Sequence, residues 1–340
     1  MKLRFPRPLD PGDTVAVTSP SGGVPPALKP RLEFAVETVR SRGFEVLIGE
    51  CMDGNGATSA PARERARELQ DFLLDPEIRA VIPPWGGELA IDLIPCLDWQ
   101  ALAEAEPTWV IGYSDISTLL LPLTLNAGVA TVHGNNLLDT PFAVPEGLVG
   151  WMDVVSLPRG ASFTQDAPDK YREGYVLYET FPEVAEFELT EEAYWVRLDS
   201  AGDVRVRGRL IGGCIETLGN LAGTPFGRAS ELARSTGDPL IVYVEAANAD
   251  AYEVCRTLHG MRLAGFFESA AAVLVGRTNA PDCADMNQYD AVIDALGGLG
   301  VPIIADVECG HVAPFMPLVN GATAEVVATE TQSQIRQTLA

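Results

Sequence analysis

Short apolar runs alternate with helical segments along the first part of the chain, and this alternation restricts the possible folds more than any other feature. The runs are β-branched or strongly apolar and are bounded by glycine, proline or serine, as strands usually are. Strands that alternate with helices form a parallel, doubly wound sheet with helices on both faces. The predicted strands cover residues 14–18, 44–48, 79–83, 109–111 and 129–134, and the predicted helices cover 30–42, 62–74, 89–97 and 116–125.

The pattern changes over residues 152–206, where loop signals and short charged runs replace the regular alternation. Further on, strands and helices alternate again. A chain of 340 residues is long enough for two domains with separate cores. We therefore predict an amino-terminal domain over residues 1–158, a linker over 159–180 and a carboxy-terminal α/β domain over 181–340. Its predicted elements are helices at 215–221, 251–265 and 289–296, strands at 240–244, 271–275 and 301–305, and an edge strand at 322–328.

Charge and composition disfavour several classes of partner. The net charge of −23 repels phosphate backbones and anionic lipid, so we expect neither nucleic-acid binding nor membrane docking. The amino terminus carries basic residues without the apolar segment of a signal peptide, and no apolar run is long enough to span a bilayer. The six cysteines form no CxxC pair, which favours reduced thiols. Together these features predict a cytoplasmic protein.

Residues 109–117, Trp-Val-Ile-Gly-Tyr-Ser-Asp-Ile-Ser, combine a predicted strand, a tight turn and the start of a helix. This is how α/β hydrolases expose a nucleophilic serine, here Ser114, with helical N–H groups beside a developing oxyanion. The alternative is that Ser114 or Asp115 only caps the helix, which is the commoner role of these residues. The second glycine of the usual elbow is also missing. However, the Ser19 loop, the glycine turn at 86–87, Ser114 and His133 all follow strand carboxyl ends, where such sheets bind ligands.

Only three histidines could serve as a base. His259 lies in a predicted helix between two arginines and is expected to be exposed. His133 follows a strand and is expected to bond a loop carbonyl. His311 follows the last apolar strand of the second domain and precedes a proline-rich loop that could hold its ring in place.

Glu245 directly follows a strongly apolar strand, where an unpaired charge is costly. Its partner is either a loop N–H or Arg256, or an imidazole that the carboxylate would orient. A zinc site at Asp306, Glu308, Cys309 and His311 is a rival interpretation, but no HExxH or paired-cysteine spacing supports it, and such a cluster on one loop often cannot point inward together. The chain has no P-loop and no GxGxxG after the first strand, which disfavours a nucleotide cofactor.

Several blocks occur in an order that resembles the LD-carboxypeptidase family of serine peptidases, which includes the microcin C self-immunity proteins. They lie at residues 86–87, 112–116, 132–134, 212–213, 240–245 and 310–311. The resemblance covers nearly the whole chain. It implies a flavodoxin-like parallel-sheet amino-terminal domain, a smaller α/β carboxy-terminal domain, usually a homodimer, and no metal or organic cofactor.

The resemblance also implies a catalytic triad divided between the two domains. Ser114 matches the nucleophile, Glu245 the orienting acid and His311 the base. Backbone N–H groups of Gly87 and Asp115 match the oxyanion hole. Such a site works through an acyl-enzyme.

The substrate is less constrained than the mechanism. Residues 85–88, Trp-Gly-Gly-Glu, depart from the Arg-Gly-Gly-Tyr-like turn of the peptidoglycan-recycling members, and Glu88 favours the immunity branch. The aromatic pair at 194–195 favours it too, with Trp195 either stacking on a nucleotide base or covering the core. The block at 212–214 departs from the usual Gly-Gly-Asn. We predict that Trp85, Gly86, Glu88 and Trp195 bind the substrate, which would be a small peptide or peptidyl nucleotide.

Three alternatives remain open from the sequence. One is a muramoyltetrapeptide LD-carboxypeptidase that releases terminal D-alanine. The second is a catalytically weak homologue that binds the same ligand. The third is a metal-dependent hydrolase.

Overall fold

The computed structural model describes residues 2–200 and 202–340. The strands in chain order are β1 Thr14–Val17, β2 Glu45–Ile48, β3 Ile78–Val81, β4 Trp109–Gly112, β5 Thr131–His133, β6 Ser162–Asp166, β7 Lys170–Tyr171, β8 Glu191–Glu192, β9 Val196–Arg197, β10 Val204–Cys214, β11 Leu240–Glu245, β12 Ala270–Gly276, β13 Ile303–Val307, β14 Leu318–Asn320, β15 Thr323–Ala328 and β16 Ser333–Thr338.

The α-helices are α1 Lys29–Ser41, α2 Ala62–Leu74, α3 Trp99–Glu104, α4 Ser117–Leu125, α5 Trp151–Val155, α6 Ile215–Leu221, α7 Ala229–Thr236, α8 Ala251–Leu263 and α9 Gln288–Leu296. Short 3₁₀ helices cover Pro26–Leu28, Ala90–Cys96, Ser114–Ile116, Leu137–Asp139 and Gly297–Leu299. The helix predicted at 89–97 is therefore a 3₁₀ segment, and it contains Pro95, which cannot donate a helical N–H bond.

The first sheet confirms the predicted parallel fold. Its strand order is β14-β5-β4-β3-β1-β2, and β1 to β5 run parallel in the 2-1-3-4-5 order of flavodoxin-like proteins. The apolar residues of β1, β3, β4 and β5 are buried, as expected for strands covered by helices on each side, whereas Leu47 and Ile48 of the edge strand β2 are exposed. Strand β14 comes from the far end of the chain and pairs antiparallel with β5, which places Leu318 opposite His133.

The second sheet has the order β6-β16-β15-β10-β11-β12-β13-β9. Strands β10 to β13 run parallel, and antiparallel strands extend this block on both sides. Residues 162–166, within the segment predicted as a linker, form β6 and pair with β16. The expectation of an edge strand at 322–328 is wrong, since β15 lies between β10 and β16. Strand β16, which covers the outer side of β15, has the polar sequence Ser-Gln-Ile-Arg-Gln-Thr and therefore could not be predicted from an apolar run.

Helix α4, directly after Ser114, joins the cores of the two sheets. Every residue from Ser117 to Thr124 is buried, and a helix that is apolar on all sides requires partners on all sides. Leu119 and Leu120 pack in a cluster of the first domain, whereas Leu121 packs in the cluster of the second.

Asn320 is a second junction between the sheets and is fully buried. Its Oδ1 accepts hydrogen bonds from the Gly212 N–H at 3.1 Å and the Tyr243 O–H at 2.7 Å, both in the second sheet. Its Nδ2 donates to Thr131 Oγ1 in the first sheet at 3.2 Å.

Along the part of the chain that the structure covers, no helix is long and apolar enough to cross a bilayer.

Replacing Asn320 by leucine keeps the side-chain volume but removes these bonds. The Gly212 N–H and the Tyr243 O–H lose their acceptor in a buried site, and each unsatisfied group costs about 1–3 kcal/mol. We expect Asn320→Leu to lower the free energy of unfolding by roughly 3 kcal/mol in urea titrations. The matched control is Asn279→Leu at an exposed position, which should change it by less than about 0.5 kcal/mol. Equal stability of the two variants would contradict the proposed junction.

Candidate active site

Ser114 occupies a strained turn at the carboxyl end of β4. Its φ is +62°, a left-handed value that residues other than glycine rarely adopt. The turn is crowded by the loop after β3: a Cβ on Gly86 would lie 2.9 Å from Ser114 Cβ and 3.1 Å from the Asp115 nitrogen. Only glycine at 86 permits this close approach. The geometry is that of a nucleophile elbow, with the serine held at the start of a 3₁₀ turn that continues into α4.

The Asp115 side chain fixes this turn from below. Its Oδ2 accepts hydrogen bonds from the Ser21 hydroxyl at 2.5 Å and the Ala90 N–H at 2.8 Å, and its Oδ1 accepts one from Thr118 at 3.2 Å. The loops after β1 and β3 are thereby tied to the serine turn. Neither Ser114 nor Asp115 caps α4, which has no side-chain cap. From the sequence, Asp115 was expected either to cap the helix or to offer its backbone N–H, and this bracing role was not predicted.

Glu245 and His311 reach Ser114 from the second sheet. Glu245 ends β11, and His311 lies on the loop after β13. His311 Nε2 lies 3.0 Å from Ser114 Oγ, and His311 Nδ1 lies 2.8 Å from Glu245 Oε2. The structure thus brings together the three residues that the sequence singled out. Gly310 precedes the histidine with φ +110°, and a Cβ there would lie 2.5 Å from Glu245 Oε2.

The electrostatics of the pair favour an ionised Glu245. Burial alone would raise the pKa of this carboxyl, but the charges of His311 and His133 and the hydrogen bonding of the carboxylate lower the pKa to about 2. Burial disfavours the cation of His311, but the charge and hydrogen bond of Glu245 raise the pKa of His311 above its ordinary value. His311 Nδ1–H therefore donates to Glu245, which leaves Nε2 free to accept a proton from Ser114.

His133 faces the other oxygen of the same carboxylate. Its Nε2 lies 3.8 Å from Glu245 Oε1, too far for a hydrogen bond, and neither atom has a partner elsewhere in the described chain. The ring is buried and packs edge-on against Tyr243, with centroids 5.2 Å apart. His133 does not bond a loop carbonyl as the sequence analysis expected.

Gly87 and Asp115 line the same cleft as Ser114 and His311, a space of about 530 Å³. Within residues 2–200 and 202–340, neither backbone N–H has an acceptor. Both donors are therefore available to a ligand atom beside Ser114, as an oxyanion hole requires.

The remainder of this cleft is polar and belongs mostly to the second domain. Glu88 is exposed in it, next to the oxyanion turn. Glu216 organises one wall, because its Oε1 accepts N–H bonds from residues 247, 248 and 249 at 2.8 to 3.1 Å. Arg256 is exposed on α8 and makes no ion pair with a described residue. The cleft therefore offers a cation to an anionic substrate group.

A second, smaller cavity of about 140 Å³ lies on the other side of His311. Its walls are mainly aromatic and include Trp85, Tyr113, Phe142, Tyr175, Tyr178, Phe187 and Phe315. The Trp85 indole also donates to the carbonyls of residues 22 and 23 at 3.1 and 3.0 Å, which fixes the turn that carries Gly86. At the base of this cavity, Tyr178 donates to the buried Asp139 at 2.5 Å. Residues 172–188, which contribute to this cavity, show no regular periodicity, so the cavity could not be predicted from the sequence.

Trp195 lies elsewhere, which corrects the predicted site. Its indole donates to Glu308 Oε2 at 2.8 Å, and its ring packs on the cluster of the second sheet. Trp195 lines neither of the two cavities that meet at His311. The placement favours the alternative that its ring covers the core.

The four residues considered as zinc ligands do not converge. Glu308 and Asp306 both contact Arg277, at 3.3 and 3.7 Å, while Cys309 is buried in the core of the second sheet. His311 is directed at Glu245 and Ser114. The carboxylates are thus directed at Arg277 and the imidazole at the triad, so the four side chains share no common centre.

The lowered pKa of Glu245 makes a prediction about stability. A pKa of about 2 in the folded state, against 4.5 for the free side chain, stabilises the fold fully above pH 4.5, and this contribution is lost as the pH falls toward 2. This difference between the two pKa values corresponds to roughly 3 kcal/mol of folding stability. We therefore expect the free energy of unfolding of Glu245→Gln to fall less steeply with acidification than that of the wild type, measured by urea titration in this pH range.

The control is Glu88→Gln, which removes an exposed carboxylate from the same cleft and should keep the wild-type slope. An unchanged slope in Glu245→Gln would contradict the stabilised carboxylate.

Comparison with known proteins assigns both halves of the chain to one family. Residues 15–134 match the LD-carboxypeptidase N-terminal domain, and residues 207–326 match the LD-carboxypeptidase C-terminal domain. The microcin C7 self-immunity protein MccF of Escherichia coli is 25% identical over 321 residues, covering 92% of this chain and 89% of that protein. A probable murein peptide carboxypeptidase of Bacillus subtilis is 27% identical over 332 residues, covering 96% and 92%.

Among solved structures, MccF in complex with aspartyl sulfamoyl adenosine superimposes with a TM-score of 0.82 at 23% identity, covering 98% of each chain. The two domain matches span most of the sequence and include Ser114, Glu245 and His311. The chain therefore belongs to the LD-carboxypeptidase family of serine peptidases.

Proposed function

We propose that the protein hydrolyses an amide near a free carboxylate through an acyl-enzyme on Ser114, with His311 as base and Glu245 as orienting acid. The observation that carries the proposal is the continuous hydrogen-bonded chain from Glu245 Oε2 through both His311 nitrogens to Ser114 Oγ. A binding protein without catalytic activity would not need a strained serine at the end of this chain.

In the first step, His311 Nε2 takes the proton of Ser114 as Oγ attacks the substrate carbonyl. The buried carboxylate of Glu245 stabilises the resulting imidazolium. The oxyanion forms beside the N–H groups of Gly87 and Asp115, which donate to it. His311 then gives the proton to the leaving nitrogen, and the acyl group stays on Ser114. A water molecule, activated by the same imidazole, releases it.

For the substrate, we propose a peptidyl or aminoacyl nucleotide of the microcin C type. Two cavities of different chemistry meet at His311. The polar cleft with Arg256 suits an acyl group that carries a carboxylate, and the aromatic cavity suits a planar base. MccF has been solved with aspartyl sulfamoyl adenosine, a ligand with both parts. In this assignment Trp85 lines the base cavity and Glu88 the acyl cleft.

The second candidate is a muramoyltetrapeptide carboxypeptidase. The relative from Bacillus subtilis is a probable murein peptide carboxypeptidase, and Arg256 would equally bind a peptide carboxylate. The aromatic walls of the second cavity favour the nucleotide conjugate, because a terminal D-alanine offers them no ring to pack against.

The cytoplasmic location and the homodimer stay predictions.

Ser114→Ala tests the mechanism. We expect kcat to fall at least about 1,000-fold because the nucleophile is removed, while the fold and substrate binding persist. Hydrolysis is followed by mass spectrometry, and binding by calorimetry. A fluorophosphonate probe should label wild-type Ser114 and should fail to label His311→Ala. Near-wild-type turnover by Ser114→Ala would exclude the serine from the mechanism.

Tyr175→Ala tests the substrate. This exposed ring lines the aromatic cavity, and stacking on a base contributes about 1–3 kcal/mol. We expect KM for an aminoacyl sulfamoyl adenosine to rise roughly 5- to 150-fold, with little change for a murein tetrapeptide. Tyr252→Ala, at an exposed tyrosine outside both cavities, is the control. An equal rise for both substrates would argue against a base in this cavity.

A further inference from the structure

Three side chains with metal-binding chemistry converge between α8 and α9, on a part of the surface that the triad does not use. Cys255 and His259 lie four residues apart on α8 and therefore share one helical face. Asp294 faces them from α9. One ligand atom from each residue lies within 4.8 Å of the other two. His259 Nε2 lies 2.7 Å and Cys255 Sγ lies 3.5 Å from the same atom, Asp294 Oδ1.

We propose that Cys255, His259 and Asp294 form a structural binding site for a divalent transition-metal ion, with Zn²⁺ as the best match and water as the fourth ligand. Thiolate, imidazole and carboxylate are the three ligand types of zinc proteins. The sulfur and the nitrogen disfavour Ca²⁺ and Mg²⁺, which take oxygen ligands.

The distances are close to those of a tetrahedral site. Zinc bonds of about 2.0–2.3 Å place the ligand atoms roughly 3.3–3.8 Å apart. The sulfur–carboxylate distance already lies in this range. The imidazole–carboxylate distance is that of a hydrogen bond and has to open by roughly 0.6 Å when the ion replaces the shared proton, which moves to Nδ1 of the neutral imidazole. All three side chains are partly or fully exposed, so small rotations can supply this change.

The charges also match. A thiolate and a carboxylate neutralise a divalent cation, and the net charge of −23 attracts cations to the surface. A cysteine thiol ordinarily carries its proton near neutral pH, whereas the metal ligand is the thiolate. Zinc binding at this site therefore forms an S–Zn bond and releases that proton to solvent.

The position of the site suggests what the ion would do. Helix α8 also presents Glu253, Arg256 and Thr257 to the substrate cleft. An ion between α8 and α9 would tie the cleft-forming helix to its neighbour in the same domain. Its role is structural, because the triad is complete without it.

Cobalt titration tests the site directly. Co²⁺ added to the reduced, metal-stripped full-length protein should produce a thiolate-to-cobalt charge-transfer band with a stoichiometry of one, and Zn²⁺ should abolish it. Cys255→Ala should remove the band, and Asp294→Asn should weaken affinity at least about 10- to 100-fold, as changes around metal sites do. Cys96→Ala, which removes an exposed thiol elsewhere, should leave the band intact.

Calorimetry of Zn²⁺ binding in buffers of different ionisation enthalpy should detect the released proton. Zn²⁺ should also raise the Tm of the wild type but not that of Cys255→Ala, while a chelator leaves turnover unchanged below the Tm. No cobalt band, or the same band in Cys255→Ala, would overturn the proposal and leave an ordinary His259–Asp294 surface pair.

Discussion

The buried carboxylate of Glu245 is the interaction on which the rest of the site depends. It is 1% exposed at the end of an apolar strand, where an unpaired charge would be prohibitively costly. His311 offsets that cost and is in turn oriented by it, so one contact stabilises the charge and aims the imidazole at Ser114. Gly310 is required there because a side chain would occupy the position of the carboxylate. Stability and catalytic geometry therefore share the same atoms.

This arrangement requires that the two sheets keep a fixed position relative to each other. Ser114 comes from the first sheet, and Glu245 and His311 come from the second. The chain secures the relation in several ways: β14 returns from the second domain to pair with β5, Asn320 bonds to both sheets, and α4 contributes to both cores. Two of these elements directly follow Ser114 and His311 in the chain, since α4 begins three residues after Ser114 and β14 begins seven after His311.

The sequence predicts those parts of the molecule that local pattern controls. The parallel strands of the first sheet are short apolar runs, and Gly87, Glu88 and Ser114, which follow the carboxyl ends of two of them, line the cleft. Their positions made Ser114, Glu245 and His311 candidates, and the resemblance to a known family combined them into a triad. Polar β16 and the irregular segment 172–188 could not be placed, because their structure comes from distant partners rather than from periodicity. The role of Trp195 was predicted wrongly for the same reason, because its hydrogen-bond partner Glu308 lies 113 residues away in the sequence. The bracing role of Asp115 depends on Ser21, which is 94 residues distant.

The serine, histidine and glutamate are expected to work as one unit, and a double-mutant cycle of Ser114 and His311 tests their coupling. The values of kcat/KM are determined for the wild type, Ser114→Ala, His311→Ala and the double variant with the same substrate. If the imidazole acts only through the serine, the double variant is as slow as Ser114→Ala alone, because nothing remains for the histidine to activate. Losses that multiply in the double variant would show that the two residues act independently and would contradict the account.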